Sequence, residues 1–201
     1  MKNNIIIAGV PRAGKSTISN MLSRKFGYQH VSMDSIIAGF QTAFPELGIP
    51  WWPSSSTESK EFEIYRNASE RVAQFIRGML ISEEYDEFKP GMVADVFQLL
   101  PEHYVKYLHG QNCEIAYLIT SAVTPEDRFA IHRAYDTEKD YSFCFSDEEM
   151  LRHCTYVVER SRYLREQCIQ YGLPYFETAK NRQDVFEAIL QHFSSNTPSI
   201  I

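Results

Sequence analysis

Between residues 9 and 16 the chain reads Gly9-Val10-Pro11-Arg12-Ala13-Gly14-Lys15-Ser16, with Thr17 directly after it. Two glycines with a Lys-Ser-Thr run at this spacing are the residue types that hold a phosphate chain. Gly9 and Gly14 let the backbone wrap, so that the amides of the segment, those of Arg12 and Ala13 among them, turn toward phosphate oxygens. Lys15 reaches the outer phosphates, and the Ser16 hydroxyl ligates a magnesium ion. The helix that begins there turns its positive end to the same place. The expected ligand is a nucleoside triphosphate with Mg2+, and ATP is the triphosphate assigned. The Arg12 side chain points outward or over the nucleotide.

Two carboxylates stand where strands end. Asp34 follows His30-Val31-Ser32-Met33, at the edge where open α/β sheets bind ligands. It orients or deprotonates an acceptor hydroxyl, or supports magnesium through water. Its structural alternative is a helix N-cap, because Asp34-Ser35 precedes Ile36-Ile37. Asp95 closes the apolar run Met92-Val93-Ala94 and is assigned to the metal with Ser16; a loop cap is its alternative. Phosphoryl transfer is chiefly positioning and charge stabilisation, so arginines are expected near the donor. Arg128 and Arg133 are the candidates, with Arg160, Arg162 and Arg165 one helix further on. Arg66 and Arg71 fall where an anionic acceptor would dock. Trp51 and Trp52 form either an aromatic wall or the core of a small lobe.

The elements that must position these groups follow from periodicity and punctuation. Ile5-Ile6-Ile7-Ala8 reads as a buried parallel strand closed by Gly9. Apolar residues at Ile18, Met21, Leu22 and Phe26 give a helix stopped by Gly27. Strands are expected over 28–33, 91–97, 113–120 and 173–178. Helices are expected from Asp34, through Phe62 to Leu80, from Pro101, from Pro125, from Ser146 to Tyr171, and from Asn181 to Phe193. The segment from Pro45 to Ser59 is dense in Pro, Gly and Ser and reads as a loop. Ser146 with Glu149 fits a capping box. Strands alternating with helices imply an α/β, three-layer fold: a five-stranded parallel sheet with helices on both faces. One domain over 1–201 is expected, with an inserted acceptor-binding region over about 35–85 and a lid-like region over about 123–147.

Taken together, the loop, the acidic residue after the second strand, the inserted helical stretch, the third strand ending in Asp95 and the arginine-bearing segment after the fourth strand resemble the adenylate-kinase-like group of small P-loop kinases. That resemblance implies an inserted stretch that holds the acceptor and an arginine segment that closes as a lid over the donor phosphates. The sequence departs from nucleoside-monophosphate kinases at Asp95-Val96-Phe97-Gln98, where they carry Asp-Gly-[Phe/Tyr]-Pro-Arg. A small metabolite, a nucleoside or another hydroxyl compound therefore fits better than a nucleotide acceptor. Phe176-Glu177-Thr178-Ala179-Lys180 also resembles the base-contacting segment of Ras-like GTPases. Neither the Asn-Lys-x-Asp guanine reader nor the Asp-x-x-Gly switch accompanies it, so Ala179 and Lys180 are assigned to contact with the nucleotide base without guanine specificity.

Composition narrows the partners. The 201 residues carry a formal charge of −6 with 44% hydrophobic residues, which suits a soluble globular chain and argues against a broad nucleic-acid surface. Cys113, Cys144, Cys154 and Cys168 form no Cys-x-x-Cys pair and read as reduced thiols. The early apolar run is too short for a signal peptide or a membrane span, so a cytoplasmic protein is expected. The reading favoured is an ATP- and Mg-dependent small-molecule kinase. An ATP-binding regulatory protein or a GTPase-like switch is the alternative.

Overall fold

The apolar run that begins at Ile5 forms the centre of the molecule. Strand β1 (Asn4–Gly9) is buried along its length and pairs in parallel with β3 (Met92–Val96) on one side and β4 (Cys113–Ile119) on the other. Strands β2 (Gln29–Ser32) and β5 (Tyr175–Glu177) complete a five-stranded, all-parallel sheet in the order β2-β3-β1-β4-β5. This computed structural model describes residues 3–47, 60–84 and 90–196. The Trp51-Trp52 loop, Tyr85 and the C-terminal tail lie outside the described residues.

Seven helices join and cover the strands among the described residues: α1 (Lys15–Phe26), α2 (Met33–Ala43), α3 (Lys60–Glu84), α4 (Pro101–Tyr107), α5 (Pro125–Tyr135), α6 (Asp147–Tyr171) and α7 (Arg182–Asn196). Helices α1 and α7 pack on each other and on the sheet, whereas α3, α4 and α6 form a second packed group with α6 against β4. The core between these layers is almost wholly aliphatic at the sheet, from Ile5, Ile6 and Ile7 to Val93, Leu118 and Ile119. Burial of that surface is the main favourable term in folding. None of the described helices is long and apolar enough to cross a membrane.

Local chemistry sets the helix boundaries. Ser146 and Glu149 make the expected capping box at the start of α6, and Thr124 with Asp127 makes a second one at the start of α5. Gly27 and Gly172 end α1 and α6 in the left-handed conformation. The second strand is shorter than its sequence suggests: Met33, fully buried, already belongs to α2. The residue preceding that helix is therefore Ser32, and Asp34 lies inside its first turn, which removes the N-cap alternative for Asp34. Asp95 sits within β3, paired in register with Ile7 and Ser32, rather than capping a loop.

The strand order fixes where ligands can go. β1 leads to β2 at one edge of the sheet, and β4 leads to β5 at the other. A crevice opens where the two connections part, at the carboxyl ends of the central strands. The loop from Gly9 to Gly14 lies there.

Candidate active site

The loop after β1 is held by contacts on both flanks. Gly9 has a φ of 130°, and a Cβ on it would lie 2.0 Å from the Leu118 carbonyl oxygen. Only glycine can pass β4 so closely. The Val10 amide donates to that same oxygen at 3.1 Å. Gly14, with a φ of 92°, starts α1; a Cβ there would meet the Phe186 ring at 2.6 Å. Two arginines secure the carbonyls between: Arg128 Nη2 donates to Pro11 O at 2.8 Å, and Arg182 Nη2 to Arg12 O at 3.2 Å. Arg12 itself adopts a φ of 59°, and its guanidinium pairs with Asp136 and Asp140.

Lys15 is 8% exposed, and its ammonium donates to Val10 O at 2.9 Å. Burial pulls its pKa below the ordinary lysine value, against the opposing charges of Asp95 and Asp34. An ammonium desolvated in this way, bonded to a neutral carbonyl, gains strongly from an arriving anion.

Lys15, Ser16 and Arg12 line two cavities, one on each side of the loop. The first, of about 690 Å3, runs from Gly14 and Thr17 to Thr120, Arg128, Ala179 and Arg182. Its walls are set by a hydrogen-bonded frame. Arg128 Nη1 donates to Thr120 Oγ1 at 3.0 Å, and the Thr120 amide donates to Ser161 Oγ at 3.0 Å. The Glu177 carboxylate accepts from the Ser121 and Ala122 amides at 2.7 and 3.0 Å and from the Ala179 amide at 3.1 Å. That one side chain joins the loop after β4 to the loop after β5.

The second cavity, of about 820 Å3, lies between Asp34, Phe97 and one face of α6. Gln98 Nε2 donates to Asp34 Oδ1 at 3.3 Å. Burial nevertheless raises the Asp34 pKa above the usual carboxylate range, aided by the nearby Asp95 and opposed by Lys15 and by the Gln98 bond. Asp95 is buried behind it, with His30 Nε2 3.9 Å from its Oδ2. The α6 wall consists of Glu149, Arg152, His153 and Tyr156, at i, i+3, i+4 and i+7 on one helix face. Tyr141 and Phe145, from the connector before α6, finish it.

Of the residues singled out from sequence, Arg12, Gly14, Lys15, Ser16, Thr17, Asp34, Arg128 and Ala179 line the two cavities, whereas Ala13 is buried within the loop and Asp95 is buried near Lys15. Gly9 lies under the crevice, against β4. Lys180 is not among the lining residues, where Asn181 and Arg182 stand instead. Arg133 lines neither cavity: its guanidinium donates to Asp147 at 3.0 Å and to Phe145 O at 2.8 Å. Arg66 makes a two-pronged pair with Glu102 at 2.7 Å on the surface of α3. Arg160 is buried against Tyr65, 3.8 Å from the ring centre. Sequence reasoning missed Glu177, Asp136, Arg182 and the α6 stripe. The stripe had a signal, since a carboxylate, a cation and two rings recur there at helical spacing. The role of Glu177 rests on the register of β4 with β5 and leaves no local mark.

A five-stranded parallel sheet in this order, with a glycine-lysine loop after its central strand, is the architecture of the P-loop small-molecule kinases of the adenylate-kinase-like group. Solved structures match it across nearly the whole chain. A shikimate kinase from Bacteroides thetaiotaomicron is similar over 96% of this chain and 97% of its own, at 15% identity and a TM-score of 0.50. A sugar kinase from Janibacter sp. HTCC2649 is similar over 96% and 95%, at 12% identity and a TM-score of 0.55. At these identities the likeness is one of fold. No protein-family model matches the sequence, and no curated protein matches it.

Proposed function

We propose that the protein transfers the terminal phosphoryl group of ATP to a hydroxyl of a small molecule. The observation that carries this reading is the position of Lys15, a desolvated ammonium that opens onto both cavities at once. A site for hydrolysis alone needs room for water at that point; a second cavity of about 820 Å3 with a carboxylate in it suits a second substrate.

In this reading the cavity of Arg128 and Ala179 takes the nucleotide, and that of Asp34 and Phe97 takes the acceptor. Lys15 neutralises charge on the transferring phosphoryl, and Arg128 holds the loop in register through Pro11 O while lining the donor side. Asp34 accepts the proton of the attacking hydroxyl. The bond from the γ-phosphorus to the β,γ-bridging oxygen breaks, a bond to the acceptor oxygen forms, and the nucleoside diphosphate leaves with the electron pair. Ser16 and Asp95 would hold the magnesium ion, one hydroxyl and one carboxylate, a sparse oxygen set that fits an ion keeping most of its water. Bound there, magnesium supplies charge neutralisation for the phosphates. Residues about 123–147 act as the lid, with Arg133 bracing its connector, and residues about 35–85 contribute to the acceptor side. Nucleic acid and membrane have no part in it.

The test is transfer from γ-labelled ATP into a pool of small hydroxyl compounds. Labelled small products are expected with the parent protein, and none with Lys15→Ala. Equal product from the variant, or nucleotide binding without any product from the parent, overturns the reading.

A further inference from the structure

The acceptor cavity has an uneven chemistry. Five of its twelve described lining residues carry aromatic rings: Phe97, Tyr141, Phe145, His153 and Tyr156. Three of these hold one another edge-to-face. Tyr141 and Phe145 stand 6.0 Å apart between ring centres, Tyr141 and His153 5.7 Å, and Phe145 and His153 5.9 Å. Tyr141 Oη and His153 Nε2 also share a hydrogen bond at 3.0 Å. Burial pulls the His153 pKa down to about 4, so at neutral pH its ring is an uncharged part of the wall. Tyr141 remains 49% exposed despite these contacts. Tyr141 and the half-buried Phe145 therefore meet the cavity on a support of buried rings, His153 among them.

Most of the polar groups there are already bonded within the protein: Lys15 to Val10 O, Asp34 to Gln98, and Tyr141 to His153. Glu149 Oε2 is occupied by the Ser146 amide and hydroxyl at 2.8 Å each, and the Arg12 guanidinium is paired with Asp136 and Asp140. Those hydroxyls of a hydroxyl-rich acceptor that face the Phe97, Tyr141 and Phe145 rings would lie against carbon, a less favourable burial than that of a flat ring. A monophosphate would find carboxylates at Asp34 and Glu149, with Arg152 as the one cation beyond the loop among the described lining residues.

We infer that the acceptor is an uncharged alcohol carried on a flat ring system, its ring against the Tyr141, Phe145, His153 and Tyr156 wall and its hydroxyl toward Asp34. This rests on the kinase reading for the hydroxyl and on the wall alone for the ring. The transferred phosphoryl goes from ATP to that hydroxyl oxygen, and the hydroxyl proton goes to Asp34. Two kinds of molecule share the chemistry: a nucleoside, and a hydroxymethyl-substituted heterocycle without a sugar.

The experiment uses the full chain and four probes: thymidine, 4-hydroxymethylpyridine, gluconate and myo-inositol. Binding is measured by calorimetry without nucleotide, and transfer from γ-labelled ATP is measured separately. At least one ring probe should bind about tenfold or more tightly than either polyol, the scale of stacking one ring on aromatic side chains. Which ring probe wins distinguishes the two sources. Phe145→Ala should weaken that ring probe about tenfold, and Phe145→Tyr should restore it. Phe145 is half-buried; both variants keep its backbone bonds to Ser142 O and Arg133, and Phe145→Ala loses the ring contacts to Tyr141 and His153, so the melting temperature of each variant is measured beside its affinity. Polyols binding as tightly as the rings, no binding by either ring probe, or an unchanged affinity in Phe145→Ala overturns the inference. Ring binding with no transfer to any probe removes the kinase reading and leaves the ring site standing. Transfer to a polyol in preference does the reverse.

Discussion

The two cavities share Arg12, Lys15 and Ser16 and differ in nearly everything else. The donor side adds Arg128 and Arg182, giving four cationic side chains against the single carboxylate of Asp136, and its only rings are His132 and Tyr135 among sixteen described lining residues. The acceptor side adds one cation, Arg152, and two carboxylates, Asp34 and Glu149, with five rings among twelve. The first is built for polyanionic phosphate, where charge and backbone amides dominate. The second is built for shape and for one reactive hydroxyl. In the proposed reading, Lys15 belongs to both because transfer happens at their boundary. If the two cavities act as proposed, the difference assigns specificity for the donor to the loop and its braces, and specificity for the acceptor to α6 and the connector before it.

The comparison breaks first at Lys15. Lys15→Ala should lower phosphoryl transfer about a thousandfold or more, because the one ammonium common to both cavities is lost. A loss below tenfold in single-turnover measurements would mean that the two cavities do not act as donor and acceptor. Asp34→Asn comes next and separates the sides. It should lower kcat about a hundred- to ten-thousandfold, the usual worth of a general base, with ATP affinity little changed.

The raised pKa of Asp34 adds a pH signature. The base must be ionised, so activity should fall as pH drops through a value above the ordinary carboxylate range. The stability sign runs the other way. Ionising Asp34 costs more in the folded chain than in the unfolded one, so its ionisation removes stability as pH rises from the ordinary carboxylate value through the raised one. The melting temperature of Asp34→Asn relative to the parent should therefore climb over that same interval, as read by calorimetry at a series of pH values.

How much of this was legible in the sequence follows the same division. The donor side was readable because a phosphate loop is a local device: Gly9, Gly14, Lys15 and Ser16 are close in sequence and close in space. The alternation of apolar runs with helical periods gave the parallel sheet for the same reason. The acceptor side is assembled across the chain, from Asp34, Phe97, Tyr141 and Tyr156, and no spacing rule links them. The connector over 136–146 attaches to Arg12 through Asp136 and Asp140, a pairing that depends on tertiary placement. Arg128 and Arg133 looked equivalent by position on one helix. The fold turned Arg128 inward, to 5% exposure, and Arg133 outward to Asp147.

Arg128→Met sharpens the donor side. It removes the donors to Pro11 O and Thr120 Oγ1, two charge-assisted bonds in a buried place. Each such bond is worth roughly 1.5–3 kcal/mol, so ATP affinity should fall about ten- to a hundredfold, with a lower melting temperature. The acceptor probes, measured without nucleotide, should bind nearly as before. Loss of both together would show that the loop cannot be disturbed on one side alone.

The smallest effect belongs to Arg133→Ala, and it bears on the acceptor side only. Arg133 makes an ion pair with the mostly exposed Asp147 at 2.7 Å and donates to the Phe145 carbonyl. A surface pair of this kind contributes about 0–1 kcal/mol, so the fold should tolerate its loss. Phe145 would lose one of the bonds that aim its ring at the cavity, and the KM of a ring-bearing acceptor should rise about two- to threefold on that scale. ATP affinity should stay at the parent value, because Arg133 reaches neither Lys15 nor the frame around Thr120. A variant that instead weakens ATP tenfold would place Arg133 over the donor phosphates when nucleotide is bound, so that the lid would engage the donor as well as wall the acceptor.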